Sequence, residues 1–433
     1  MRFVDRLASR LNKQSSITEE ALPPQVPVRL RLEPLSVAVS SAEPVRINIL
    51  VPTLITRHLF AGASASYGLA ARMADRGARV RIVATDLSDP PDEHSRLLAG
   101  HDLPGSDWTE KIEHSSGYPD LFERIEVFAA GGRDQPMPVS PDDRFVATTP
   151  ITANLAAEAT VSTDEERFLF LIQEYNPILG ADWLAAIALQ SYRLPHIALY
   201  STELLAEYFE GEKVGSFSHE AGSESFVFRN PITQVRRPEA GELQERKRRS
   251  LAFYARPEPH ARRNLIELGL LAIERALADG LLPLEWEING IGAVSETADI
   301  PVGPDSVVKM TERMPVDRYA KWLEGHDVGL SLMLTPHPSL PPLEFAASGA
   351  STVTTVFANK TAERLSEISP NLFGVEPGIE QLAVAIGEAV KRRDAFAERA
   401  AGARFDWPSD WSAALPDALI DSLFQAVKYD PGP

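Results

Sequence analysis

One local pattern constrains this chain more than any other: short apolar runs rich in β-branched residues, separated by single helical stretches. Arg46 to Pro52 reads RINILVP, which suits a strand buried on both faces. The helical stretch SASYGLAARMADRG follows and is stopped at Gly77; ARVRIVATD then forms a second strand ending at Asp86. Strand, helix and strand in this order make a βαβ unit, with parallel strands and a right-handed crossover. The pattern resumes with the strand RFLFLIQEY (Arg167 to Tyr175), which runs out into polar residues. The helix ADWLAAIALQSY, the strand HIALYST and the helix ELLAEYFE come next. From Gly211 to Ser250 the sequence is polar, with scattered Gly and Pro, and reads as a connecting region. A second alternating series starts at SLAFYARP (Ser250 to Pro257) and continues through STVTTVF, and helical segments close the chain. The predicted fold class is α/β, with two doubly wound Rossmann-like domains facing a central cleft. The predicted divisions are an N-terminal extension at 1–44, a first Rossmann-like domain at 45–215, a linker at 216–249, a second Rossmann-like domain at 250–405, and a C-terminal helical segment at 406–433 that packs back on the first domain.

Charge and composition narrow the function. Lys and Arg number 43 against 61 Asp and Glu, a formal net charge of −18 over 433 residues. That balance opposes a general nucleic-acid surface, which rests on clustered cations. An anionic ligand therefore needs a local basic site set against the field of the whole chain. The absence of cysteine excludes disulfides, Cys-ligated zinc, iron–sulfur clusters and a thiol nucleophile. There is no signal-peptide core and no run of about 18 apolar residues, so no membrane span is expected. Phe3, Val4, Leu7 and Leu11 recur at helical spacing among Arg2, Arg6, Arg10 and Lys13. Two readings follow: a short membrane-surface helix, or else a helix docked on the protein body or a frayed terminus.

In open parallel sheets, ligands sit beyond the carboxyl ends of the strands. No GxGxxG, Walker A, HExxH, GxSxG or Asp-x-Asp pattern stands at those ends. No metal or cofactor is expected, so a diphosphate would need side-chain cations. YARPEPHARRN (Tyr254 to Asn264) supplies them: Arg256 at a strand end, and Arg262 and Arg263 at the expected start of the next helix. In ERKRRS (Glu245 to Ser250) the arginines read as a solvated basic patch. The segment LTPHPSLPPLEFAASGASTVTT leads from a buried strand through a Pro-rich loop into a helix expected to begin at Pro341 or Pro342. Glu344 would then lie in its first turn, either serving the helix dipole or accepting hydrogen bonds from nucleotide sugar hydroxyls. His337 and Ser339 lie in the loop before it. Gly290 and Gly292 end another strand, where tight packing and ligand contact are both open. Met314, in MTERMPVDRY, stands where backbone amides could read a base edge.

These segments together resemble the GT-B glycosyltransferases that use nucleotide-diphospho-sugars. Phe253-Tyr254-Ala255-Arg256, with Arg262 or Arg263 in place of a lysine, looks like their strand-end motif. Leu343-Glu344-Phe345-Ala346-Ala347-Ser348-Gly349 looks like the second half of their E-x7-E motif. LIQEYNP, LYSTELLAEYF, FYARP with RRN, and GLSLMLTPHPSLPPLEFAASG are more narrowly similar to a bacterial rhamnosyltransferase branch typified by the S-layer-glycan enzyme WsaF. Pro336 stands where E-x7-E has its first glutamate. That departure favours a less conventional donor, such as a 6-deoxysugar. The resemblance implies transfer of a sugar, foremost L-rhamnose from dTDP-L-rhamnose, onto a growing surface glycan, which can be lipid-linked. It implies a cytoplasmic enzyme, including one at the inner membrane face. Gly62 and Phe60 would belong to a glycine loop at the cleft. Gln173, Glu174 and Tyr175 would meet the acceptor, with Glu174 the general base if the reaction inverts. If it retains configuration, Arg256 and Arg263 would stabilise the leaving diphosphate without such a base. A nucleotide-sugar epimerase of the same architecture and a non-catalytic scaffold in glycan assembly are the alternatives.

Overall fold

The structure is a computed structural model. It describes residues 31–52, 61–85, 118–131, 133, 135–179, 183–218, 224–246, 249–293, 298–312 and 314–432. The N-terminal amphipathic segment and Phe60 lie outside them. Strands β1 (Val37–Val39), β2 (Ile47–Val51), β3 (Val80–Ala84), β4 (Glu126–Ala129), β5 (Met137–Val139), β6 (Arg144–Ala147), β7 (Phe168–Ile172), β8 (His196–Ser201) and β9 (Ser225–Phe228) make up the first half. Seven of these form one sheet, in the order β4-β3-β2-β6-β7-β8-β9, with every pair parallel. β1 and β5 pair separately. The apolar runs explain the arrangement. All residues of β2, β3 and β7 are buried, as strands covered by helices on both faces must be. The helix Pro150–Thr160 starts on a capping box, with Thr149 accepting from the Thr152 N–H and Pro150 in the first turn.

The second half contains β10 (Ser250–Tyr254), β11 (Glu287–Ile291), β12 (Ile300–Pro301), β13 (Val307–Met310), β14 (Val328–Leu330), β15 (Ser351–Thr355) and β16 (Leu372–Val375). Their order is β12-β13-β11-β10-β14-β15-β16, parallel except for the β12–β13 edge. Strand order reverses between β10 and β14, which are direct neighbours. This is the switch point where doubly wound sheets take ligands.

The chain end returns to the first sheet. Asp410 caps the helix Trp411–Ala414, Pro416 separates it from the helix Asp417–Ala426, and Trp411, Leu415, Ile420, Leu423 and Phe424 join the core beneath β2 and β3. Arg72 Nε donates to the Leu415 carbonyl at 3.0 Å, and Arg76 meets Asp421 at 2.9 Å.

Two expectations are corrected. The 216–249 stretch is more than a linker, because it supplies β9, the edge strand of the first sheet. The described arginines of ERKRRS, Arg246 and Arg249, do not form a solvated patch. Arg246 and Arg249 turn inward to the fully buried Asp327, at 3.7 and 3.5 Å, and Arg399 reaches the same carboxylate at 2.8 Å. Burial pushes the Arg246 guanidinium down to about 10, against the pull of Asp327.

Candidate functional site

The loops leaving β10 and β14 are tied together at the switch point. After β10, residues Pro259–Asn264 form a 3-10 turn, and the following helix Ile266–Ala278 begins only after Leu265, whose φ is 51°. Arg262 and Arg263 therefore sit on a separate tight turn, not at an α-helix start as the sequence suggested. The Leu334 N–H donates to the Arg263 carbonyl at 3.0 Å, joining this turn to the 331–339 loop. That loop is held from below. Lys360, fully buried, donates from Nζ to the Met333 carbonyl at 3.0 Å, and the Thr355 hydroxyl bonds both Met333 N and Met333 O at 2.9 Å.

Across the cleft, Glu174 follows β7 of the first sheet and meets groups from the second half of the chain. Its Oε1 accepts from the Tyr175 N–H at 3.0 Å and from the Thr335 hydroxyl. Its Oε2 lies 3.2 Å from His337 Nε2 and 3.5 Å from Arg263 Nε. His337 Nδ1 accepts from the Ser339 N–H at 3.1 Å, so a neutral ring carries its proton on Nε2 and donates it to Glu174. Ser339 adopts a φ of 66°, a left-handed conformation imposed where the loop enters the helix Leu340–Ala347. The Glu174 side chain is 12% exposed. Desolvation opposes its charge, but His337, Arg263 and the Thr335 hydroxyl outweigh that and hold the carboxyl below its usual range. Burial pushes the Lys360 ammonium down to about 7, while Glu174 pulls it up.

A second group lies around Tyr254. Desolvation raises its phenol, and Arg256 and Arg263 pull it down, so both arginines act on this one ring. Arg256 is 5% exposed and its Nε meets Glu258 at 3.3 Å. Glu344 is buried, and both of its oxygens are engaged: Oε1 accepts from the Thr233 N–H at 3.0 Å and Oε2 from the Tyr319 hydroxyl at 2.8 Å. Its helix begins at Leu340, so Glu344 sits in the second turn, and the expected first-turn dipole effect does not apply.

The remaining sequence candidates divide by what surrounds them. At Gly290 a Cβ would come within 2.4 Å of Met310 Sδ. At Gly292 (φ 114°) it would press on Tyr254 and Arg256. Close packing accounts for both glycines, and Gly292 lets Arg256 lie flat on the strand end. Met314 packs in the same cluster as Tyr254, Tyr319 and Trp322. Arg262 is exposed. Tyr175 packs edge-on against Tyr208 and Phe209, at 5.0 and 5.8 Å between ring centroids. Gln173 is partly buried beside Glu174, and Gly62 falls within the helix Ala61–Asp75. Thr335, within the LTPHPSLPP loop, and Lys360 and Tyr319 carry no distinctive sequence signal. A lone lysine in VTTVFANKTA gives no hint that it folds inward. On the far side of Pro338 a cavity of about 410 Å³ is bordered by the Glu203–Arg229 and Glu207–Arg364 ion pairs. Among the described residues no three His, Asp or Glu side chains gather as a metal site, and no helix is long and apolar enough to cross a membrane.

Residues 46–203 match the WsaF N-terminal domain, and residues 249–387 match the WsaF C-terminal domain. The chain belongs to the WsaF family. This WsaF-family chain is also 28% identical over 189 residues to the O-antigen biosynthesis protein RfbC of Myxococcus xanthus. The match covers 43% of this chain but only 13% of that protein. Among solved structures, Anabaena HepE, crystallised with UDP and glucose, superposes with a TM-score of 0.54 at 12% identity, covering 89% of this chain and 99% of HepE. Sucrose-phosphate synthase from Thermosynechococcus elongatus gives 0.53 at 11% identity, covering 89% and 96%. The fold is GT-B. All four site segments, around Glu174, Arg256–Arg263, Thr335–His337 and Glu344, fall inside the two matched WsaF domains.

Proposed function

We propose that this chain is a glycosyltransferase that moves a sugar from a nucleotide-diphospho-sugar to a hydroxyl of a growing surface glycan, soluble or lipid-linked. One observation carries the reading: at the switch point of the second sheet, Arg263, His337 and Thr335 converge on one carboxylate, that of Glu174 at a strand end of the first sheet. In this reading the donor's C1–O bond to diphosphate breaks as the acceptor oxygen bonds C1. Arg256 and Arg263 balance the charge that develops on the leaving diphosphate. The acceptor proton passes to Glu174 if configuration inverts, or to the departing phosphate oxygen if it is retained. Glu344 would hold a nucleotide sugar hydroxyl once Tyr319 or Thr233 yields an oxygen. The side-chain cations make a metal unnecessary, and we place the reaction in the cytoplasm, including the inner membrane face.

The WsaF membership and the replacement of the first E-x7-E glutamate by Pro336 favour dTDP-L-rhamnose as donor. The test is incubation with dTDP-L-rhamnose, UDP-glucose and other donors beside a rhamnose-terminated acceptor, with and without EDTA, followed by NMR of the new anomeric proton. Transfer from dTDP-L-rhamnose that persists in EDTA is the expected outcome. Transfer from UDP-glucose alone would overturn the donor assignment, and no transfer from any donor would overturn the reading itself.

A further inference from the structure

Four donors converge on the Glu174 carboxylate: the Tyr175 N–H, the Thr335 hydroxyl, His337 Nε2 and Arg263 Nε. Three of the four belong to the other half of the chain. Two carboxylate oxygens do not satisfy all of them. Arg263 Nε is buried and makes no hydrogen bond with good geometry, Glu174 Oε2 standing 3.5 Å away. A carboxylate is planar and has two oxygens. A phosphoryl group is tetrahedral, carries more acceptor oxygens and more charge, and matches an arginine fork better. The segments that carry the three donors are also tied in place. The Arg263 carbonyl is bonded to Leu334, Met333 is pinned by Lys360 and Thr355, and His337 is oriented by the Ser339 N–H. The Glu174 backbone is likewise held in its own domain, its carbonyl accepting from the Tyr192 hydroxyl at 3.2 Å and Asn176 Nδ2 at 3.3 Å, but from that domain its carboxylate is met by the adjacent Tyr175 N–H. Both backbones are tied to their own domains, and the exchangeable element is the Glu174 side chain, whose carboxylate contacts Thr335, His337 and Arg263 across the two halves.

We infer that Arg263, His337 and Thr335 form a phosphoryl subsite, and that Glu174 is its internal occupant, clasping the two domains together until a phosphoryl group takes its place. The inference rests on the donor reading above for the identity of the phosphoryl compound, a nucleoside diphosphate. It adds Thr335 to the site and gives Glu174 a role before any chemistry. The exchange forms and breaks no covalent bond. It leaves the Glu174 carboxylate released from three donors and free to accept a proton, which it cannot readily do while clasped.

The clasp taxes ligand binding. If it is closed in about nine molecules of ten, the apparent Kd of a phosphoryl ligand is weakened roughly tenfold. The test uses the full chain in wild-type, Glu174→Ala and Thr335→Ala forms. Because the protein has no cysteine, Val161→Cys and Val384→Cys, both at exposed positions in different halves, accept spin labels cleanly. Pulsed EPR then reads the interdomain distance, and calorimetry reads the binding of dTDP and of inorganic pyrophosphate. The expected result is a longer or broader distance distribution in both variants without ligand, and roughly tenfold tighter binding to Glu174→Ala. Thr335→Ala loosens the clasp without changing charge, so it separates clasping from simple repulsion between Glu174 and the ligand. Tighter binding with unchanged distances would show repulsion alone and overturn the clasp. Pyrophosphate binding with no dTDP binding would sustain the subsite while overturning the nucleotide donor. No binding of either probe to any form would overturn the subsite.

Discussion

The ammonium of Lys360 is fully buried and, among the described residues, bonds a single carbonyl, so its charge is poorly compensated. An unfolded lysine titrates near 10.4, whereas burial pushes this one to about 7. Between those values the unfolded chain binds one more proton than the folded chain, so stability rises with pH across that window. Lys360→Met abolishes this dependence. Urea denaturation at pH 7 and pH 9 should show wild type gaining on Lys360→Met at the higher pH. An equal difference at both pH values would mean that Lys360 stays charged in the fold. Glu344 makes a different prediction. Its two oxygens satisfy the Thr233 N–H and the Tyr319 hydroxyl, and Glu344→Ala leaves both donors in a buried setting. We expect a loss of about 2 kcal/mol in urea denaturation, with Glu344→Gln losing less because its amide oxygen still accepts one of the two bonds. The sequence marked Glu344 as a ligand-facing carboxylate. It did not reveal that Tyr319, 25 residues earlier, competes for it, because that pairing depends on two helices meeting in space.

Elements were legible wherever burial wrote a run into the sequence. β2, β3, β7, β8, β10 and β15 are mostly apolar or β-branched, and each lies within the segment expected to be a strand. Edge elements were not legible in this way. β9 (SFVF) and β4 (EVFA) are short and partly exposed, so each carries too few buried side chains to stand out from a loop. The helix Pro150–Thr160 also escaped notice, its small Ala and Thr residues giving weak contrast between faces. Charge deceived at ERKRRS for a related reason: composition reads an arginine as solvated, and only the fold reveals a buried acid to meet it. Asp327 precedes β14 and collects Arg246 and Arg249 from ERKRRS and Arg399 from a distant segment. Removing one partner of a buried ionic group strands the others, typically at about 3–5 kcal/mol. Asp327→Ala is therefore expected to lower stability by about that much. Arg249→Ala should cost less, since Arg399 keeps the 2.8 Å contact. A thermal melt of both variants checks the order, and equal losses would mean that the cluster does not act through Asp327.

At the scale of the molecule, chain order and spatial order disagree: the last helices complete the first sheet's core. Trp411 lies over Gly68, where an added Cβ would fall 2.3 Å from the indole ring. The glycine is there because the tryptophan is, although 343 positions separate them. The first domain is thus not fully packed until the second has been made and the chain has crossed back. A double-mutant cycle tests this directly. Trp411→Ala removes a buried indole and should cost about 3–5 kcal/mol. Gly68→Ala should cost about 1–3 kcal/mol by overpacking against the ring. In the Trp411→Ala background the added methyl meets open space, so Gly68→Ala should become nearly neutral or stabilising. The two losses, measured by urea denaturation, should then fall short of additivity by at least about 1 kcal/mol, within the range seen for residues in contact. Strict additivity would mean that the C-terminal helices do not seat on the helix Ala61–Asp75 in solution, and that the first domain stands without them.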